Sequence, residues 1–226
     1  MEKVSIEQAI ISRHSVRRFI DKPIEDFAVK QLNELIEECN ALSGVNFQLI
    51  TNEPNAFNTL LAKYGKFKNV NNYVAVVVKK QGDYSEAVGY YGERLVLKAQ
   101  QLGLNTCWAG ISYSKSKCKA KVCADEKLFI AIALGYGETQ GVPHKSRPLK
   151  NFYHSAEENI PEWFLKGVEF ASLCPTAINQ QKFFFELDGN TVKLSHRFGP
   201  FSKTDLGIAK LHFEIGAGMD NFLWRK

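Results

Sequence analysis

The stretch Tyr73–Val78, "YVAVVV", is apolar throughout and carries no charge. A strand that can face water on neither side belongs in the middle of a sheet with helices over both faces. Its neighbours fit that placement. Upstream, apolar residues Leu32, Leu35, Ile36 and Cys39 recur at helical spacing, with Pro23 just ahead, predicting a helix from Asp26 to about Asn40. Phe47–Thr51 reads as a second strand. Downstream, Val88, Tyr91, Leu95 and Leu102 share one stripe of a helix over about Ser85–Gln101, which ends at Gly103, a residue suited to the left-handed terminus.

Further out, Leu128–Leu134 predicts another buried strand, closed by "GYGE", and Gly141–Lys150 a proline-broken basic loop. A helix over about Pro161–Leu173 follows. Phe183–Leu187 and Thr191–Leu194 flank "DGN" as a hairpin, and Asp205–Met219 forms the last helix with Ile208, Leu211 and Ile215 inward. At the other end of the chain Ser5 can cap a short helix reciprocally with Gln8. The order helix, strand, glycine-containing helix occurs over 26–103 and again, compressed, over 161–219. The chain is therefore either one domain over 1–226 or two diverged halves, about 1–155 and 156–226.

With 226 residues the chain can build a sizeable core. A net charge of +5 suits nucleic acid, an acidic surface or a phosphorylated ligand, but the 24 acidic residues are interspersed among 29 basic ones, which a small ligand explains as well as a polymer does. The 5 cysteines are an odd number, the start shows no signal-peptide pattern, and no run of apolar residues is long enough to span a membrane. A reduced, soluble, cytoplasmic protein is expected.

The basic stretch "ISRHSVRRF" at 11–19 concentrates Arg13, His14, Ser15, Arg17 and Arg18. Guanidinium forks and serine hydroxyls match phosphate oxygens; a solvated basic turn is the plainer explanation. As an extended chain it would turn Arg13, Ser15 and Arg17 to one side and His14 and Arg18 to the other. Lysines 115, 117, 119 and 121 read as a solvated surface wrapping a helix, without the aromatic interleaving of a nucleic-acid groove. The cysteines lack the paired spacing of a zinc site. No GxSxG, HExxH, GxxxxGK[ST] or GxGxxG pattern occurs, so a nucleophile elbow, a zincin and a doubly wound nucleotide fold all fit poorly.

Three segments together resemble the nitroreductase-like FMN-dependent oxidoreductases. "SRHSVRRF" at 12–19 looks like the family's flavin-phosphate motif, and "GLNTCWAG" at 103–110 like its loop at the flavin edge. "LCPTAINQQKFFF" at 173–185 is similar to the family's "APSAxNxQPWxF", which ordinarily follows the first long helix; there this chain has "ECNALSGVNFQLI". The displacement resembles a branch with two similar halves in one polypeptide. The resemblance implies an α+β, nitroreductase-like three-layer sandwich with a central, mainly antiparallel sheet.

It further implies FMN held at its phosphate and ribityl chain by Arg13, His14, Ser15 and Arg17, with Lys145 and Arg147 closing over the phosphate. Trp108, Ala109 and Gly110 would lie by the isoalloxazine. Pro175, Thr176, Ala177, Asn179 and Gln181 would approach flavin across a half-to-half or subunit interface. Lys182 and Phe183 stand where proline and tryptophan are usual, which bears on the substrate cavity. The implied activity passes hydride from NADH or NADPH to FMN and electrons on to a nitroaromatic, quinone or similar acceptor. The chemistry resides on flavin N5 and demands no protein nucleophile and no metal. A homodimer is implied, without nucleic acid or membrane as partner. The alternatives are a specialised flavin dehydrogenase of the same fold and a non-enzymatic flavin-binding or sensing module.

Overall fold

The computed structural model describes residues 4–157 and 159–225. In chain order the elements are α1 (Ile6–Ser12), α2 (Asp26–Ser43), β1 (Asn46–Ile50), α3 (Leu60–Tyr64), β2 (Asn72–Lys79), α4 (Ser85–Gln101), β3 (Asn105–Ala109) and β4 (Glu126–Gly135). They continue as β5 (Tyr153–Ser155), α5 (Glu162–Ser172), β6 (Phe183–Asp188), β7 (Thr191–His196), α6 (Ser202–Ala217) and β8 (Leu223–Trp224). Two compact units result. One comprises Ser12–Tyr84 and Leu95–Pro143, the other Val4–Ile11, Ser85–Arg94 and the chain from His144 onward, so α4 passes from the second to the first partway along its length.

The first unit is built on an antiparallel sheet of order β1-β2-β4-β3. The apolar stretch is its interior strand. Seven of the eight β2 residues are buried, because both faces are covered. On one face Ala75, Ala131, Ala133, Cys107 and Ala109 join Val16, Phe19, Phe57, Phe67 and Tyr113 in one cluster. On the other, Leu134 packs with Leu32 and Ala28 of α2 and with Ala99 of α4. Fully burying a valine contributes about 1.5–3 kcal/mol, which makes β2 the thermodynamic centre of this unit. Helix α4 has the expected bounds, and Gly103 beyond it sits at φ 77°.

The second unit has a sheet of order β5-β6-β7-β8, with β6 and β7 antiparallel and the two outer pairings parallel. Asp188 pairs with Thr191, so the "DGN" hairpin closes over two residues. Its core is aromatic: Phe185 stacks on Phe213 at 4.5 Å, and Phe213 also meets Phe164 and Phe222 edge-on. The start of α4 crosses α6 at two glycines. A Cβ on Gly207 would stand 2.0 Å from the Glu86 carbonyl oxygen, and one on Gly89 2.0 Å from that of Thr204, so backbone rests on backbone there. Beside this crossing, buried His212 bridges the Phe170 carbonyl oxygen and the Glu93 carboxylate at 3.1 Å each. The reciprocal cap of α1 is present, Ser5 and Gln8 each donating a backbone N–H to the other's side chain at 3.1 Å.

Two expectations need correction. The lysine-rich segment is no helix beyond the single turn Lys115–Lys117. From Cys118 to Cys123 it is a strap tied by the Lys119 N–H to the Tyr73 hydroxyl and by the Lys121 N–H to Gln48 Oε1; Lys119 and Lys121 are exposed while Cys118 and Ala120 turn partly inward. Ile215 is only half-buried in α6, whereas Phe213 is fully buried.

Candidate functional site

Within the first unit the basic stretch leaves α1 and runs along the sheet edge. The Val16 N–H donates to the Thr106 carbonyl at 2.9 Å, and the Lys68 N–H donates to the Arg17 carbonyl at 2.9 Å, so β3 and the loop at Lys68 both hold the segment. Strict alternation of its side chains fails. Burial falls on Arg13, Val16 and Phe19, every third residue, while Ser15 and Arg17 are exposed and His14 is half-buried against Gly141, where a Cβ would lie 2.8 Å from that of His14. Arg18 is set apart from the rest: its Nε donates to Glu138 Oε2 at 2.7 Å, and Lys68 holds the other carboxylate oxygen at 3.0 Å. Those two cations depress the Glu138 carboxyl.

Ser15 hydrogen-bonds the Cys107 thiol, and the Arg13 and Arg17 charges act on it. Burial pushes this thiol up, while the Arg17 charge, a hydrogen bond with Ser15 and the Arg13 charge pull it back. Cys107 lies in β3, paired along β4 through Trp108–Ile132 and Ala109–Ala131. The strand thus delivers half-buried Trp108, buried Ala109 and Gly110 one after another beyond the donor group. Three planar or hydroxyl donors beside a small-residue strand end can hold a phosphate monoester and let a flat ring approach backbone.

In the second unit the other candidate residues form one hydrogen-bonded cluster. The Gln181 amide is buried and fully used: Nε2 donates to the Lys145 carbonyl and to Asn179 Oδ1, each at 2.8 Å, and Oε1 accepts the Arg147 N–H at 2.9 Å. Asn179 Nδ2 donates to the Lys145 carbonyl at 3.1 Å, the Arg147 guanidinium donates to the Gln181 carbonyl at 3.0 Å, and the Gln181 N–H donates to Thr176 Oγ1 at 3.1 Å. Pro175 is buried; Thr176 and Ala177 are half-buried; Lys145, Arg147 and Asn179 are exposed. The backbone is wound tightly, with Ile178, Asn179 and Gln181 all at positive φ near 50°. A β-branched residue there is a conformational outlier, of a kind that clusters at ligand clamps.

Asp205, at the start of α6, holds this segment. Its Oδ1 accepts the Ala177 N–H at 2.9 Å and its Oδ2 accepts Gln180 Nε2 at 2.6 Å. Burial raises its carboxyl to about 6 despite those bonds. Sequence reasoning missed both Asp205 and Cys107. Cys107 lies within "GLNTCWAG", but the Asp205 contact joins positions 28 apart and has no local signature. Phe183, in the place of the usual tryptophan, is the first residue of β6 and stacks on Phe152 at 5.0 Å; Lys182 donates to the Phe198 carbonyl.

A family model described as "Putative TM nitroreductase" matches residues 5–217. The chain belongs to this nitroreductase family. A Thermotoga maritima MSB8 structure of the same description is 23% identical, with a TM-score of 0.71, covering 97% of this chain and 87% of that one. A nitroreductase of like description from Desulfovibrio desulfuricans, solved in complex with FMN, is 20% identical with a TM-score of 0.51 over 69% of this chain and 98% of its own. At these identities the structures establish the fold, the α+β nitroreductase fold with an antiparallel central sheet. No curated protein matches the chain at a significant level. Among the described residues of the chain, no helix is long and apolar enough to cross a membrane, and no three His, Cys, Asp or Glu side chains group as metal ligands.

Proposed function

We propose that this nitroreductase-family chain is an FMN-dependent oxidoreductase that takes hydride from NADH or NADPH and passes electrons to a nitroaromatic, quinone or similar acceptor. The observation that carries the reading is the docking of the segment with Arg13, Ser15 and Arg17 onto β3, through the Val16 N–H to the Thr106 carbonyl, on the strand leading to Trp108, Ala109 and Gly110. The donor set fits the cofactor: two guanidiniums and a hydroxyl suit a phosphate monoester, and buried Ala109 beside Gly110 leaves little side chain to obstruct a ring. Flavin, when bound, supplies reversible hydride and electron chemistry.

The protein's share is binding and orientation. Arg17 and Ser15 would neutralise and seat the phosphate. Thr176, Asn179 and Gln181, with Lys145 and Arg147, are proposed as a second flavin-facing segment. Their amide groups already bond to one another, which supports a role as a shaped wall before a role as individual donors. A homodimer is part of the proposal. Donor and acceptor would use the same face in turn, so initial rates over a grid of both concentrations should give parallel double-reciprocal lines. Intersecting lines would point to simultaneous occupancy, and flavin-bound protein without turnover to the sensing module.

A further inference from the structure

The first unit contains a cavity of about 630 Å³ lined by none of the residues assigned to flavin. Its cations are Arg18, Lys63, Lys66 and Lys68, and Phe57 and Phe67 contribute an apolar floor, their rings meeting edge-on at 5.2 Å. The nearby carboxylates do not balance that charge. Glu138 is shared by Arg18 and Lys68, Asp21 accepts from the Asn71 amide, and Glu53 is buried on the Asn55 and Ala56 N–H groups and the Tyr73 hydroxyl. Among the described residues Lys63 and Lys66 have no carboxylate within ion-pair distance. A concavity of this size that joins aromatic surface to a few charged groups can hold a small molecule.

Backbone geometry supplies a second, independent observation. Helix α3 ends with the Lys66 N–H donating to the Lys63 carbonyl at 2.9 Å and the Phe67 N–H donating to the Ala62 carbonyl at 3.0 Å. That is the helix-terminating pattern in which the left-handed residue is normally glycine. Here it is Lys66, at φ 63°, while the chain's glycine stands one residue earlier at φ −70°, where a Cβ would come 2.6 Å from that of Ser112. A lysine that lines the cavity therefore occupies a conformation that disfavours it. Strain retained where glycine would relieve it is a mark of a working position.

We propose that this cavity binds a phosphate-type ligand of at least two negative charges, with any apolar body resting on Phe57 and Phe67. Two sources share this chemistry, a free polyphosphate and the diphosphate of a nucleotide. The test is calorimetric titration at low salt, with FMN saturating the flavin site, using inorganic pyrophosphate and ADP. Saturable pyrophosphate binding is expected, weakened about five- to tenfold in Lys66→Gly. It should be recovered in Lys66→Arg and unchanged in Lys193→Ala, whose lost charge belongs to the second unit, on the Glu186 carboxylate. Lys66→Gly should melt at or above the wild-type temperature, because it relieves the backbone. Tighter binding of ADP would assign the floor to a nucleotide base, and equal binding to a free polyphosphate. Absence of saturable binding, indifference to Lys66→Gly, loss in Lys193→Ala, or a lower melting temperature for Lys66→Gly would overturn the proposal.

Discussion

Arg17 and Arg18 are adjacent and do different work. Arg18 is held to Glu138, whereas Arg17 faces solvent beside Ser15 and Cys107. Arg17→Ala should weaken FMN by about 1.5 kcal/mol, the low end for a charge-assisted hydrogen bond because the group is exposed. Riboflavin, lacking the phosphate, should be affected little; equal losses in fluorescence titration would remove Arg17 from the phosphate. Asp205 gives a pH test. Its folded carboxyl titrates near 6, above the ordinary value of 3.8, so its contribution is fully present below pH 3.8 and is lost as pH rises through 6. The loss is on the order of 3 kcal/mol. The stability difference between Asp205→Asn and wild type should therefore shift in the variant's favour between pH 4 and 7. A difference flat across that range would contradict the assignment. The arginines, the serine and "CWAG" were legible in the sequence because they are contiguous. Asp205 and the Arg18–Glu138 pair were not, since each is defined by a partner distant along the chain.

At the scale of elements, legibility followed the source of each element's stability. Strand β2, helix α4 and the hairpin β6–β7 carry their own pattern of apolar spacing and turn residues, and their positions were read within a residue or two. The lysine strap carries none: its conformation comes from Tyr73 and Gln48, so its alternating charges were misassigned to a helix. The glycines in α4 and α6 were visible as helix residues of poor propensity, but only the crossing explains them. Gly207→Ala should cost about 1–3 kcal/mol, because its methyl group would meet the Glu86 backbone, which cannot swing aside. Denaturant unfolding measures this directly; a variant within about 0.5 kcal/mol of wild type would show that the crossing has slack.

For the molecule as a whole, the apolar strand and the ordered motifs were enough to anticipate the α+β nitroreductase fold. The organisation into two units with a sheet apiece was not readable in detail, because α1 and the first part of α4 join the unit formed mainly by the later chain. Those assignments depend on packing between distant segments. Function at this scale rests on whether the chain holds FMN and whether a nicotinamide reduces it. The most direct measurement is anaerobic stopped-flow absorbance of the FMN-loaded protein mixed with NADH and, separately, with NADPH. Rapid, saturable bleaching of the oxidised flavin band by at least one of them is the expected result. Bleaching no faster than that of free FMN under the same conditions, with both nucleotides, would contradict the proposed oxidoreductase.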